Sequence, residues 1–237
     1  MRAVGPARSR VSGTASSRLA PRAIHRRRQM LPHTTGHFAL PISPWRPIPT
    51  LVAQSKTIGA GEIHAAIDRL ASAISERHGS SSKLLILGIA NGGIILARRL
   101  AARLSERAGA GSAKPGIVDI SFHRDDSSRN PIPKEFAPTQ IPADVNGATI
   151  ILVDDVLYSG RTVKAALDEL FDQGRPTKVE LAVLADRGGR RLPIVADYSG
   201  LSVNAGESET VLVRLDETSP DLDQIRIEPA TGGKSAL

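Results

Sequence analysis

The chain has 237 residues, 41% of them hydrophobic, with 31 Lys plus Arg against 24 Asp plus Glu and no cysteine. That length suits one large domain or two small ones with a sizeable core, and no run of about 18 apolar residues is present to span a membrane. Zero cysteine excludes a disulfide framework, a thiolate metal site and a cysteine nucleophile.

The net charge of +7 is unevenly placed, because the first acidic residue is Glu62. Residues 1–61 hold ten basic residues, nine arginines and Lys56, which leaves 21 basic against 24 acidic residues in 62–237, a net −3. A domain at −3 has no whole-molecule attraction for phosphodiester backbones. The leader, residues 1–55, carries seven of the 16 prolines, including Pro41, Pro44, Pro47 and Pro49, and shows neither a 3.6 nor a 2 period. Such a segment buries too little apolar surface to offset its ordering entropy and reads as disordered. Its Arg-rich, acid-free composition fits an organelle transit peptide, a nucleic-acid-binding arm, or an upstream stretch included by a misplaced start with Met30 as the second Met. It has no secretory apolar core, which argues against export and for a cytoplasmic protein.

From position 56 onward one α/β domain is expected. Ile63, Ile67, Leu70 and Ile74 fall at i, i+4, i+7 and i+11, an amphipathic helix stopped by Gly79. Residues 83–89 are a short apolar run suited to a strand buried on both faces. Gly92-Gly93 turns the chain into a second helix, with Ile95, Leu96, Leu100 and Leu104 inside and Arg98, Arg99, Arg103 and Arg107 outside, a face read as solvated. Residues 116–122 read as a strand, and 123–138, with mixed charges and no period, as a mobile lid loop. A very apolar strand, 148–153, ends at Asp154-Asp155, and a helix from Arg161 to Gln173 stops at Gly174 before Pro176. Residues 178–184 make another buried strand, and 210–215 with 224–227 an antiparallel pair at one edge. Alternating buried strands and helices predict a mostly parallel central sheet flanked by helices. The scattered His64, His78 and His123 lack ligand spacing and read as surface histidines.

The stretch from Ile150 to Thr162, IILVDDVLYSGRT, carries the chemistry. Hydrophobics run to the carboxyl end of a strand, where open α/β sheets bind ligands. Ser159, Gly160, Arg161 and Thr162 bring backbone N–H groups, hydroxyls and a helix N-terminus to one point, which suits a phosphate monoester. Gly160 lets the backbone approach closely. The carboxylates of Asp154 and Asp155 suit two ribose hydroxyls, or Mg²⁺ held through water.

Four apolar residues, two acids and a Ser/Thr-Gly-x-Thr turn resemble the phosphoribosyl-diphosphate signature of the type I phosphoribosyltransferases. The run from Val153 to Leu167, Gly174-Arg175-Pro176, residues 181–188, Leu192-Pro193-Ile194 and Ala196-Asp197-Tyr198 are similar to the bacterial pyrimidine operon regulator/uracil phosphoribosyltransferase family. So are Val118-Asp119-Ile120 and Arg124-Asp125-Asp126. The likeness spans about residues 57–228 and is strongest over 150–198.

That resemblance implies a type I phosphoribosyltransferase fold with a small hood and a flexible lid. The implied reaction joins uracil to phosphoribosyl diphosphate with Mg²⁺, giving UMP and diphosphate, in a homo-oligomer. Asp154 and Asp155 would hold ribose and, through it or through water, the metal. Tyr158, Ser159, Gly160, Arg161 and Thr162 would hold the 5′-phosphate, and Ala90, Asn91, Gly92 and Gly93 the diphosphate. Asp186, Arg187, Leu192, Pro193 and Ile194 would form the hood over the base, and Arg124, Asp125, Asp126 and Lys134 belong to the lid.

The chain departs from the family where Gly92 replaces an arginine, Gly189 a histidine, Arg191 a glutamate and Leu201 a lysine, and where Asn204-Ala205 replaces Pro-Thr. These changes leave the nucleobase open, a purine included. On the first helix the family's RNA-contacting positions match His64, Ala65, Asp68 and Ser72, with only Arg69 kept. RNA binding by that face is therefore disfavoured, although a nucleotide-sensing RNA-binding regulator with little catalysis is the alternative reading.

Overall fold

The computed structural model describes residues 51–53, 56–79, 83–108, 114–121 and 138–230. The leader up to residue 50 and the expected lid, with Arg124, Asp125, Asp126, Lys134 and His123, lie outside the described residues.

Six strands build one parallel sheet: β1 (Leu51–Ala53), β3 (Leu84–Ile89), β4 (Lys114–Val118), β5 (Thr149–Leu157), β6 (Lys178–Asp186) and β7 (Tyr198–Val203), in the order β1-β7-β6-β5-β3-β4. Every neighbouring pair is parallel, as the continuous apolar runs predict. β1 comes from residues upstream of position 56. Alternate strand residues feed two cores. Ile86, Ile151, Val153, Ala182 and Leu184 pack under helices α1 (Ala60–His78) and α2 (Gly93–Ala108). Leu85, Leu87, Ile150, Leu152, Leu181 and Val183 pack under α3 (Arg161–Gln173). From β3 the chain moves outward to β4 and then returns to the other side of β3 as β5. The order of connection reverses between β3 and β5, and their carboxyl ends open a crevice there.

Several expectations are corrected. β5 continues through the acid pair to Leu157, because Asp154, Val156 and Leu157 stay in register with Val183, Ala185 and Asp186 of β6. β4 starts at Lys114 and stops at Val118, since the Asp119 N–H leaves the ladder to donate to the Thr139 hydroxyl at 3.0 Å. β7 was not foreseen, as Ser199, Gly200 and Ser202 interrupt its apolar run. Gly200 is needed there because a Cβ would lie 2.9 Å from the Leu184 carbonyl oxygen and 3.2 Å from Ala66 Cβ.

The expected late hairpin exists, as β8 (Glu209–Arg214) and β9 (Gln224–Pro229), but it does not edge the main sheet. With β2 (Thr57–Gly59) it makes a separate antiparallel sheet in the order β2-β9-β8. Ile58, Val211, Ile225 and Ile227 bury its inner face against the α1–α2 core.

The arginine face of α2 is partly engaged, while Arg98 and Arg107 remain exposed as expected. Arg99, 14% exposed, holds the buried Asp223 carboxylate and the Asp216 carbonyl, Arg98 pairs with Glu217, and Arg103 pairs with Asp68 at 2.5 Å. His64 joins Asp223 at 3.1 Å, and His78 meets Glu180 at 2.6 Å, so neither histidine is a free surface group. Glu180, 1% exposed at the start of β6, also accepts from the Tyr198 hydroxyl at 2.6 Å and faces Arg77 and Lys178.

Burial alone would raise the Glu180 pKa, but hydrogen bonds from His78, Lys178 and Tyr198 outweigh it and hold the group at about 2 against an ordinary 4.5. A carboxyl depressed on folding adds stability that is present above its unfolded pKa and lost as pH falls from 4.5 towards about 2. Glu180→Gln should cost about 3 kcal/mol at neutral pH. It should also flatten the acid limb of a stability-versus-pH curve measured by urea unfolding.

Candidate functional site

Two loops meet at the crevice. The first, residues 90–93, follows β3, and its Ala90–Asn91 peptide is cis. Gly93 opens α2 so close to β5 that a Cβ would lie 2.0 Å from the Val153 carbonyl oxygen. A Cβ on Gly92 would lie 2.5 Å from the Asp155 carboxylate. Glycine is thus required at 93, where backbone blocks any side chain, while a side chain at 92 would have to shift the Asp155 carboxylate, and the loop backbone sits directly against the second acid of β5. An arginine in the place of Gly92 would have to displace that carboxylate.

Asp154 and Asp155 stand on successive positions of β5. Asp154 is 5% exposed and Asp155 is half-buried. Asp154 accepts the Asp155 N–H at 3.0 Å and Asp155 the Val156 N–H at 2.7 Å. Among the described residues neither carboxylate pairs with a cationic side chain. Burial, then the neighbouring Asp155 charge, pushes the Asp154 carboxyl well above its ordinary pKa. Burial raises Asp155 too, against its backbone hydrogen bonds. A buried and a half-buried acid without a cation among the described residues form a site that gains by receiving hydroxyl donors or a metal.

The second loop, residues 158–160, leads into α3. Gly160 adopts φ +90°, the left-handed region, and is buried under Leu192 and Ile194, whose side chains lie 3.2–3.4 Å from where its Cβ would be. Ser159 Oγ accepts the Arg161 N–H at 3.3 Å, while the Arg161 and Thr162 side chains are exposed at the first turn of α3. The expected phosphate residues 158–162 therefore form one contiguous turn at a helix N-terminus beside the acid pair.

The expected hood residues pack on this turn. The Arg187 guanidinium stacks on the Tyr158 ring at 3.9 Å. The edge of that ring occupies the space a side chain at Gly189 would need, with Cε2 2.5 Å from the Cβ position. The Arg191 and Leu192 N–H groups both donate to the Ser159 carbonyl, at 3.0 and 3.1 Å. Pro193 is exposed, and Ile194 leans on the α3 core. Asp186, expected in the hood, closes β6. Its carboxylate accepts the Gly188 N–H at 2.9 Å and pairs with Arg190 at 2.5 Å, so it braces its own turn. Arg190 was not singled out from sequence. Its only local signal is its place four residues after Asp186, and two of its other partners, the Leu157 and Tyr158 carbonyls, lie 33 and 32 residues away.

Among the described residues no group of three His, Cys, Asp or Glu side chains is arranged to hold a metal. The acid pair alone suits a hard cation that keeps waters and substrate oxygens in its shell, as Mg²⁺ does. The chemistry of this donor set therefore fits Mg²⁺.

The profile described as phosphoribosyl transferase domain matches residues 58–218. The bifunctional protein PyrR of Deinococcus deserti is 49% identical over 162 residues, covering 67% of this chain and 86% of its own. The bifunctional protein PyrR of a Roseiflexus species is 42% identical over 181 residues, covering 76% and 98%. Among solved structures, the hypoxanthine phosphoribosyltransferase of Trypanosoma cruzi superposes with a TM-score of 0.53 at 19% identity, over 72% of this chain and 94% of that one, a likeness of fold.

Asp154→Asn removes a buried charge and keeps its shape. An acid raised on folding penalises the folded state above its folded pKa, and the penalty fades as pH falls. The variant should gain about 1 kcal/mol, or roughly 2–4 °C in Tm, at neutral pH without ligand. Thermal unfolding at descending pH should show that gain shrinking.

Proposed function

The chain belongs to the phosphoribosyl transferase domain family and, within it, to the proteins named bifunctional protein PyrR, and from that premise we propose that it joins uracil to phosphoribosyl diphosphate, forming UMP and releasing diphosphate. The observation that carries this reading is the juxtaposition at the carboxyl ends of β3 and β5 of a buried and a half-buried carboxylate, without a cationic partner among the described residues, and a glycine-opened turn at a helix N-terminus.

In this reading the turn from Tyr158 to Thr162 binds the 5′-phosphate through backbone N–H groups and hydroxyls. Asp154 and Asp155 accept the two ribose hydroxyls, which orients the anomeric carbon towards the hood. The backbone of 90–93 lies against the diphosphate, where Gly92 gives close approach in place of an arginine's charge. As the bond from anomeric carbon to diphosphate lengthens, the sugar acquires oxocarbenium character, and the acid pair offers negative charge on its lower side. Uracil, held under residues 187–194, adds through its ring nitrogen and gives up the proton of that nitrogen, which the departing diphosphate oxygen or water takes up. Mg²⁺ bound with the substrate would neutralise diphosphate charge, and Asp154 and Asp155 are the residues that would hold it through water or ribose. Arg124 and Lys134 are proposed to close over the diphosphate from the lid and exclude water.

RNA recognition by the α1–α2 face is the weaker reading. Arg69 donates to the Gly200 carbonyl at 3.0 Å, Arg98, Arg99 and Arg103 are paired with acids, and Asp68 itself is exposed on that face. A phosphodiester backbone would have to displace those pairs before gaining counterion release. A cytoplasmic homo-oligomer is part of the same proposal.

Titration of Mg-phosphoribosyl diphosphate into the protein, followed by uracil with a diphosphate-release readout, should show binding and then turnover. Asp154→Ala with Asp155→Ala should abolish both. Unchanged affinity in that double variant removes the acid pair from the site, and binding without turnover for any base favours the regulator.

A further inference from the structure

We propose that Arg190 is a positioning residue that shapes the 5′-phosphate cradle. The proposal rests on the phosphoribosyl reading of the 158–162 turn. Arg190 touches no expected substrate position. Its half-buried guanidinium gathers carbonyl groups from both sides of the turn: Nη1 donates to Leu157 and Tyr158, each at 3.1 Å, and to Gly188 at 3.3 Å, while Nε donates to Ile194 at 3.1 Å. Nη2 pairs with Asp186 at 2.5 Å, which holds the planar fork in one orientation.

The consequence lies in the peptide planes. In a trans peptide the C=O and the following N–H point in opposite directions. Arg190 turns the Tyr158 carbonyl towards the hood and joins the Arg187 N–H on the Leu157 carbonyl, and the Arg191 and Leu192 N–H groups turn the Ser159 carbonyl the same way. The N–H groups of Tyr158, Ser159 and Gly160 are thereby directed to the opposite side as a set. A concave run of backbone N–H groups is an anion site, and this one is built by a cation acting from behind. The guanidinium is suited to the task because lysine, a single point donor, cannot bridge carbonyls from β5, the turn and the hood at once.

The test titrates UMP into the wild type, R190K and R190Q, with KM for phosphoribosyl diphosphate and for uracil measured in parallel. R190K keeps the charge opposite Asp186 and so decides the matter even where R190Q folds poorly. In R190K and R190Q the UMP dissociation constant and the phosphoribosyl diphosphate KM should each rise about tenfold or more, with a clearly smaller rise in the uracil KM. R190K matching the wild type overturns the proposal, and so does a uracil KM that rises in step, which marks general loosening. A wild type that binds neither UMP nor phosphoribosyl diphosphate overturns the reading of the turn itself, and the role of Arg190 with it.

Discussion

The close approach of the first turn of α2 to the carboxyl end of β5 sets the geometry of the site. With Val153 O where a Cβ of Gly93 would be, and the Asp155 carboxylate where a Cβ of Gly92 would be, the loop after β3 lies flat on the acid pair. Gly88 extends the constraint, because its own Cβ would lie 2.6 Å from the Gly93 carbonyl oxygen. Three glycines thus remove the side-chain layer that normally separates a strand end from the helix beyond it. The loop after β3, the acid pair and the turn at 158–162 then all lie at the carboxyl ends of β3 and β5, at the switch point of the sheet.

Buried acids take two forms in this protein, and the contrast locates the function. Glu180 and Asp223 are sealed among partners, His78, Tyr198, Arg77 and Lys178 for the first, Arg99 and His64 for the second. Each pins distant elements together, Asp223 joining both helices of one face to the small antiparallel sheet. Among the described residues Asp154 and Asp155 receive backbone N–H groups from their own strand and face each other, with no cationic side chain between them. Their pKa values move up where that of Glu180 moves down. A carboxylate pair left in that state costs stability, and a ligand that supplies hydroxyls and a cation relieves it. The arrangement is one in which a structure holds back compensation so that binding can provide it.

Much of this was legible beforehand. Helices α1, α2 and α3 follow from local periodicity and from Gly79 and Gly174, and β3, β5 and β6 from apolar runs. The acid pair and the turn at 158–162 could be read as a phosphate and ribose site because their chemistry is contiguous in the chain. The resemblance to the pyrimidine regulator family rested on that stretch and on shorter runs between Val118 and Tyr198, and it correctly implied the fold.

Pairing across the chain was not legible. An arginine stripe on α2 reads as solvated until Asp223, 124 residues on, arrives beneath Arg99. Arg190 reads as one more surface charge until the carbonyls of Leu157 and Tyr158 converge on it. β7 and the separate β2-β9-β8 sheet depend on which faces are left to cover α1, and no local period records that. By itself the sequence determined the elements and the reactive stretch, since periodicity and turn chemistry act over a few residues. The tertiary structure decided which charges are compensated and which way each peptide of the cradle faces, because both depend on partners far apart in sequence that only packing brings within hydrogen-bond reach.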